Sequence, residues 1–160
     1  MNIAEVNAAG PLGFEDIAEH SPWVAQAAFK YAPFACRDEM IEKFSAAVMQ
    51  ADHPMQLALL RAHPDLATKA KLTADSQDEQ RGAGLNALSA QEFVHFTQLN
   101  NAYKTKNNFP FIFAVKGATK HQIMESFERR IHNSTEVELQ TALQQVCNII
   151  RFRLEDRVRT

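Results

Sequence analysis

The chain has 160 residues, 46% of them hydrophobic, which suffices for a sizeable core and points to one compact domain spanning residues 1–160. Its formal net charge of −2, with basic residues scattered rather than clustered, gives none of the electrostatic footprint of a nucleic-acid binder. No apolar run is long enough to cross a bilayer, and "MNIAEVNAAGPLGF" lacks the basic and apolar regions of a secretory signal, so a cytoplasmic protein with no membrane partner is expected.

The first clear helix opens at "HSPWVAQAAFKY": Ser21 can cap, Pro22 suits the first helical position, and Trp23, Ala27 and Tyr31 share a face at four-residue spacing, before Pro33 ends the run. "CRDEMIEKFSAAVMQA" places Met40, Phe44, Ala47, Val48 and Ala51 on a helical period. Asp52 and Pro54 open a shorter helix, "PMQLALLRA", which must stop at His63 because the ring of Pro64 drives the preceding residue out of the α region. The polar text from Lys69 to Asp75 reads as a loop. Ser76 and Glu79 then have the S-x-x-E spacing of a capping box, opening a helix that Gly82 and Gly84 allow to end early. Ser89 and Glu92 repeat the device ahead of Phe93, Phe96, Leu99 or Asn100, and Tyr103, and Asn107 and Asn108 stop that helix.

"FPFIFAV", residues 109–115, departs from this grammar, being short, aromatic and β-branched, with a proline that no central strand accepts. It reads as an extended, buried connection, whose backbone groups must find partners in side chains, water or a ligand. Two helices complete the chain, one with a Thr119/Gln122 box and an Ile123, Phe127, Ile131 stripe, the other opened by Thr135 and Glu138. The expectation is an all-α fold, a single compact domain of about seven or eight helices. In the last helix Leu139, Leu143, Val146 and Ile150 form an apolar seam whose next step is Arg153. A guanidinium there must meet a carboxylate, reach the edge of the core or line a cavity, because an unpaired buried charge costs several kcal/mol.

Cys36 and Cys147 have no C-x-x-C spacing and read as buried, reduced thiols. The "NST" triplet at Asn133 matches a glycosylation sequon but, without a secretory signal, reads as a helix boundary. His20, His53, His63, His95, His121 and His132 form no i, i+4 pair, so no metal site is expected. There is no Walker loop, and "GAGL" lacks the preceding strand of a dinucleotide turn. His63 with Glu79 is the best acid–base pair: imidazole titrates near neutrality, and a glutamate within hydrogen-bond reach favours its protonated form. A helix beginning at Ser76 would add free N–H groups and a positive dipole end beside them. The same Ser76 and Glu79 serve equally as a capping box with no chemistry at all.

"EHSPWVA", "HPDLA", "LTADSQDEQRGAGLNAL", "FTQLNNAYKTKNNFPFIFAVKG" and the final "RFRL", in this order over nearly the whole chain, resemble the OHCU decarboxylase family, where OHCU is 2-oxo-4-hydroxy-4-carboxy-5-ureidoimidazoline. The resemblance implies an all-α, usually homodimeric enzyme of urate degradation, with no metal or organic cofactor, that removes the carboxylate of OHCU to give one enantiomer of allantoin. It implies His63 as proton donor with Glu79 tuning or orienting it, Pro64 lying against the substrate, and Ser76 and Gln80 contacting it. Backbone groups of Phe111, Ile112, Phe113, Ala114 and Val115 would hold the heterocycle, and Arg153 would meet a substrate polar group. The family usually carries Phe–Gly before "FPF", where this chain has Asn107 and Asn108. Asparagine tolerates a left-handed backbone, so Asn108 is expected to take the glycine's conformation, while the lost aromatic alters the pocket edge. The rival expectation is a catalytically silent helical binding or scaffold protein that keeps the fold.

Overall fold

Capping chemistry sets most helix boundaries in this chain. The computed structural model describes residues 1–68 and 72–160, and among these the regular structure is helical, without strands. Of the expected loop from Lys69 to Asp75, residues 69–71 lie outside the described residues, whereas Ala74 and Asp75 are already helical, because the helix is capped by Thr73. Two compact units are formed, Met1–Ala62 with Val146–Thr160, and His63–Gln145.

In the first unit, α1 (Ile3–Ala9) starts from a capping box in which Asn2 Oδ1 accepts from the Glu5 N–H at 2.9 Å and the Glu5 carboxylate accepts from the Asn2 N–H at 2.8 Å. Sequence reading overlooked this helix, although N-x-x-E carries the same signature as S-x-x-E. α2 (Trp23–Ala28) buries Val24, Ala25 and Ala28. Trp23, Ala27 and Tyr31 share a face as expected, lining one surface cavity with Ala47 and Ala51, and Tyr31 is 57% exposed. α2 passes into a 3₁₀ turn at Phe29–Tyr31. The ring of Phe29 gathers Phe14, Phe34 and Phe44 at centroid distances of 5.9, 5.1 and 6.2 Å.

α3 (Arg37–Gln50) buries Met40, Phe44 and Val48 as its periodicity requires. α4 (His53–Arg61) begins where Asp52 accepts from the Met55 N–H at 2.9 Å and is closed by Ala62, leaving His63 just beyond it. Cys36 is exposed, contrary to expectation, because it precedes the first turn of α3 rather than lying on its buried face. Cys147 is buried and free, and burial raises its thiol pKa.

In the second unit, α6 (Ala90–Asn107) and α7 (Lys120–Arg130) both begin with their expected boxes, Ser89 with Glu92 and Thr119 with Gln122. α6 ends at Asn108, which adopts φ 63° as expected for a glycine substitute and donates its N–H to Lys104 O. The core gathers Phe96, Tyr103, Phe109, Phe111, Ile123, Phe127 and Leu143. At its centre Phe111 stacks on Phe127, with centroids 3.8 Å apart and planes within 9°.

Ser21 does not cap α2, because its Oγ donates to Glu19 O at 2.8 Å and Pro22 takes the N-cap position without a side-chain bond; two later caps also differ from expectation. α5 (Ala74–Gly82) is capped by Thr73, whose Oγ1 accepts from the Ser76 N–H at 3.3 Å, so Ser76 lies inside the first turn rather than before it. α8 (Thr135–Arg157) is preceded by Ser134, whose Oγ accepts from the Val137 N–H, and Glu138 makes no cap because its carboxylate is drawn into the core. In both cases the hydroxyl that caps stands upstream of the serine or threonine chosen from the sequence pattern. Residues 135–145 of α8 belong to the second unit, and its later residues to the first.

Candidate active site

His63, the proposed acid, heads a non-helical turn, 63–68, and is 8% exposed. Two side chains fix the backbone of this turn. Gln80 Oε1 accepts from the Ala67 N–H at 3.0 Å, and Asn100 Nδ2 donates to Leu66 O at 2.9 Å. Ala67 has φ 59°, a left-handed conformation that costs an alanine roughly 1 kcal/mol, and these two bonds over-determine it. At the mouth of the turn Lys104 Nζ meets Asp65 at 2.8 Å.

α5 presents Ser76, Glu79 and Gln80 on one face, since positions three and four apart are neighbours on a helix. Ser76 and Gln80 are buried and Glu79 is half-buried. The bond to Ala67 settles which end of the Gln80 amide faces the turn, leaving its Nε2 group as the donor end. Because Thr73 already receives the Ser76 N–H, Ser76 contributes a hydroxyl to this face rather than the free amide expected of a helix start. His63, Pro64 and the Ser76, Glu79, Gln80 face therefore belong to one unit and are tied through Gln80.

The 109–115 segment is extended and largely buried, as expected. Its backbone partners are now identifiable. Ile112 O accepts from Arg130 Nη1 at 2.8 Å, the Ala114 N–H donates to Gln145 Oε1 at 2.9 Å, and Val115 O accepts from the Ala118 N–H at 3.0 Å. Among the described residues the N–H groups of Ile112, Phe113 and Val115 have no hydrogen-bond partner. Side chains thus satisfy part of the segment.

Behind it lies a buried polar cluster that sequence reading missed. Glu138, fully buried, accepts from Tyr103 Oη at 2.6 Å and Arg130 Nε at 2.9 Å on one oxygen, and from Asn133 Nδ2 at 3.0 Å on the other. The Arg130 guanidinium lies 4.3 Å from the Phe111 ring centre. Burial, followed by the Glu138 hydrogen bond and charge, pushes the Tyr103 phenol well above its usual value. The available signal was a charge on the apolar stripe of α7, where Arg130 follows Ile123 and Phe127 at helical spacing. Asn107, in place of the family's aromatic, is buried and its Oδ1 accepts from Thr135 Oγ1 at 2.8 Å. The departure thereby joins the end of α6 to the start of α8.

Arg153 belongs to the first unit, where the carboxylate alternative holds. Its Nη2 meets Glu19 at 2.8 Å and its Nη1 donates to Ile17 O at 3.0 Å, with both side chains buried.

With this geometry in place, a family model described as OHCU decarboxylase matches residues 12–155. The 2-oxo-4-hydroxy-4-carboxy-5-ureidoimidazoline decarboxylase of Haloferax volcanii is 41% identical over 144 residues, 90% of this chain and 86% of that protein. The uric acid degradation bifunctional protein PucL of Bacillus subtilis is 41% identical over 140 residues, 88% of this chain and 28% of PucL. Among solved structures, (S)-allantoin synthase matches with a TM-score of 0.79 at 28% identity, over 99% of this chain and 54% of that one.

Proposed function

The chain belongs to the OHCU decarboxylase family, and from that premise we propose that it is a decarboxylase of urate degradation, converting OHCU to (S)-allantoin with His63 as proton donor and no cofactor. The observation that carries the reading is the locked turn at His63, held by Gln80 from the same buried helix face that presents Ser76 and Glu79.

In the reaction the bond between the hydroxyl-bearing ring carbon and its carboxylate breaks, carbon dioxide leaves, and the electron pair passes toward the neighbouring ureido-bearing carbon and its ring C=N nitrogen, giving an enol. His63 then delivers a proton to one face of the ureido-bearing carbon, forming the C–H bond of a single enantiomer, while the hydroxyl-bearing carbon becomes a carbonyl by losing its O–H proton to solvent and His63 is reprotonated from solvent; positioned transfer of this kind is worth roughly 100- to 10,000-fold in rate. Glu79 favours the protonated imidazole and orients it. The Ser76 hydroxyl and the Gln80 amide bind polar groups of the substrate, Pro64 packs against it, and backbone groups of Phe111–Val115 hold the heterocycle. Donors aimed at the developing negative charge lower the barrier.

Arg153 is assigned a supporting contact to a substrate polar group, made with a guanidinium already paired to Glu19. The protein is further proposed to act as a cytoplasmic homodimer whose whole chain, 1–160, is one domain.

OHCU generated in place by urate oxidase and the following hydrolase provides the test. The protein is expected to accelerate OHCU loss with release of one carbon dioxide per molecule consumed. Unaltered decay in its presence would leave a family fold serving as a binding or scaffold protein.

A further inference from the structure

Resting on the proposed decarboxylase reading, we propose that Arg130 is a positioning residue that polarises the Ile112–Phe113 peptide, so that the Phe113 N–H becomes a strengthened donor to negative charge developing on the substrate. Three observations converge. Arg130 Nη1 donates to Ile112 O at 2.8 Å, and that carbonyl belongs to the same peptide unit as the Phe113 N–H. A carbonyl that accepts from a cation draws electron density through its amide and makes the N–H at the other end a better donor. The Phe113 N–H has no partner among the described residues, whereas the next amide, Ala114, is already committed to Gln145.

The surrounding cluster keeps the guanidinium on this task. Glu138 holds Nε at 2.9 Å and is itself fixed by Tyr103 and Asn133, so the arginine cannot swing away without stranding a fully buried carboxylate. The Phe111 ring, sandwiched between Phe127 and the guanidinium, anchors the start of the segment. The result is a rigid peptide dipole backed by a full positive charge, the kind of preorganised electrostatics that acts in a transition state at no reorganisation cost.

The experiment compares Arg130→Lys with Tyr103→Phe, which loosens the same cluster but leaves the arginine–carbonyl bond intact. Arg130→Lys is expected to lower kcat about 10- to 100-fold with KM changed by less than about threefold, and Tyr103→Phe to keep kcat within about twofold. The ¹⁵N-resolved amide proton of Phe113 is expected to move upfield in Arg130→Lys and to stay in place in Tyr103→Phe. Equal loss of kcat in both variants, or an unmoved Phe113 resonance in Arg130→Lys, would overturn the proposal. If Arg130→Lys does not fold, Arg130→Met combined with Glu138→Gln removes both buried charges together and is read by the same criteria. A wild-type protein inert toward OHCU would refute the decarboxylase reading separately, and the Phe113 resonance would still decide the polarisation.

Discussion

Replacing Glu138 with alanine is predicted to be among the most damaging single changes in the second unit. Glu138 is fully buried and accepts three hydrogen bonds, from Tyr103, Arg130 and Asn133. Its removal leaves a buried guanidinium whose remaining partner is Ile112 O, with Nη2 unpartnered among the described residues from the outset. Breaking one side of a buried ion pair costs about 3–5 kcal/mol, a large part of the roughly 5–15 kcal/mol that stabilises a domain. For a domain of this size each kcal/mol moves Tm by about 2–4 °C, so a fall of roughly 6–20 °C is expected in thermal unfolding followed by circular dichroism. The converse variant sharpens the test. Arg130→Met, Glu138→Leu and Tyr103→Phe together remove both charges and the phenol while keeping apolar volume, and should recover about half of that loss or more. A Glu138→Ala protein within about 1 kcal/mol of wild type, or a triple variant no better than the single one, would refute the argument that this cluster is an electrostatically closed unit.

Further outcomes follow from the caps and ion pairs. Thr73→Ala should destabilise by about 1 kcal/mol in urea unfolding, because it removes the acceptor for the Ser76 N–H, whereas Ser76→Ala should leave stability nearly unchanged and act on turnover. Glu92 is held at a pKa of about 2, below its ordinary 4.5, by its hydrogen bond to Lys120 and then by the Ser89 backbone. Its folded pKa is depressed, so its contribution is complete above about 4.5 and fades as pH falls toward about 2; an acid titration of wild type against Glu92→Gln should converge over that window. Arg153→Ala removes one side of the buried Arg153–Glu19 ion pair and should cost about 3–5 kcal/mol, and a variant with unchanged Tm but a raised KM would give Arg153 a binding role alone.

Much of the fold was legible because local chemistry and tertiary packing agree. Asp52, Ser89 and Thr119 cap as their patterns imply, and Asn108 takes the left-handed conformation that its position demands. Trp23, Ala27 and Tyr31 share a face as their spacing implies, while the buried side of α2 is Val24, Ala25 and Ala28. The spacing of Ser76 and Thr135, each three residues before a glutamate, implies helix starts, yet a capping hydroxyl stands upstream in both cases, at Thr73 and Ser134. At the site, His63 and the Ser76, Glu79, Gln80 face were visible as residue types at telling spacings. Asn100, Arg130, Glu138 and Gln145 were not, because they act on backbone groups of segments distant in sequence, and such partnerships leave no local pattern.

The most direct measurement is circular dichroism of allantoin formed from freshly generated OHCU, comparing wild type, His63→Ala and no protein. Spontaneous decay yields a racemate and no optical signal. Rapid growth of the (S)-allantoin signal with wild type, lost in a His63→Ala protein whose far-ultraviolet spectrum and Tm remain near wild type, is the predicted result. A His63→Ala variant producing (S)-allantoin at a near wild-type rate would contradict the account, since the proton would then come from elsewhere.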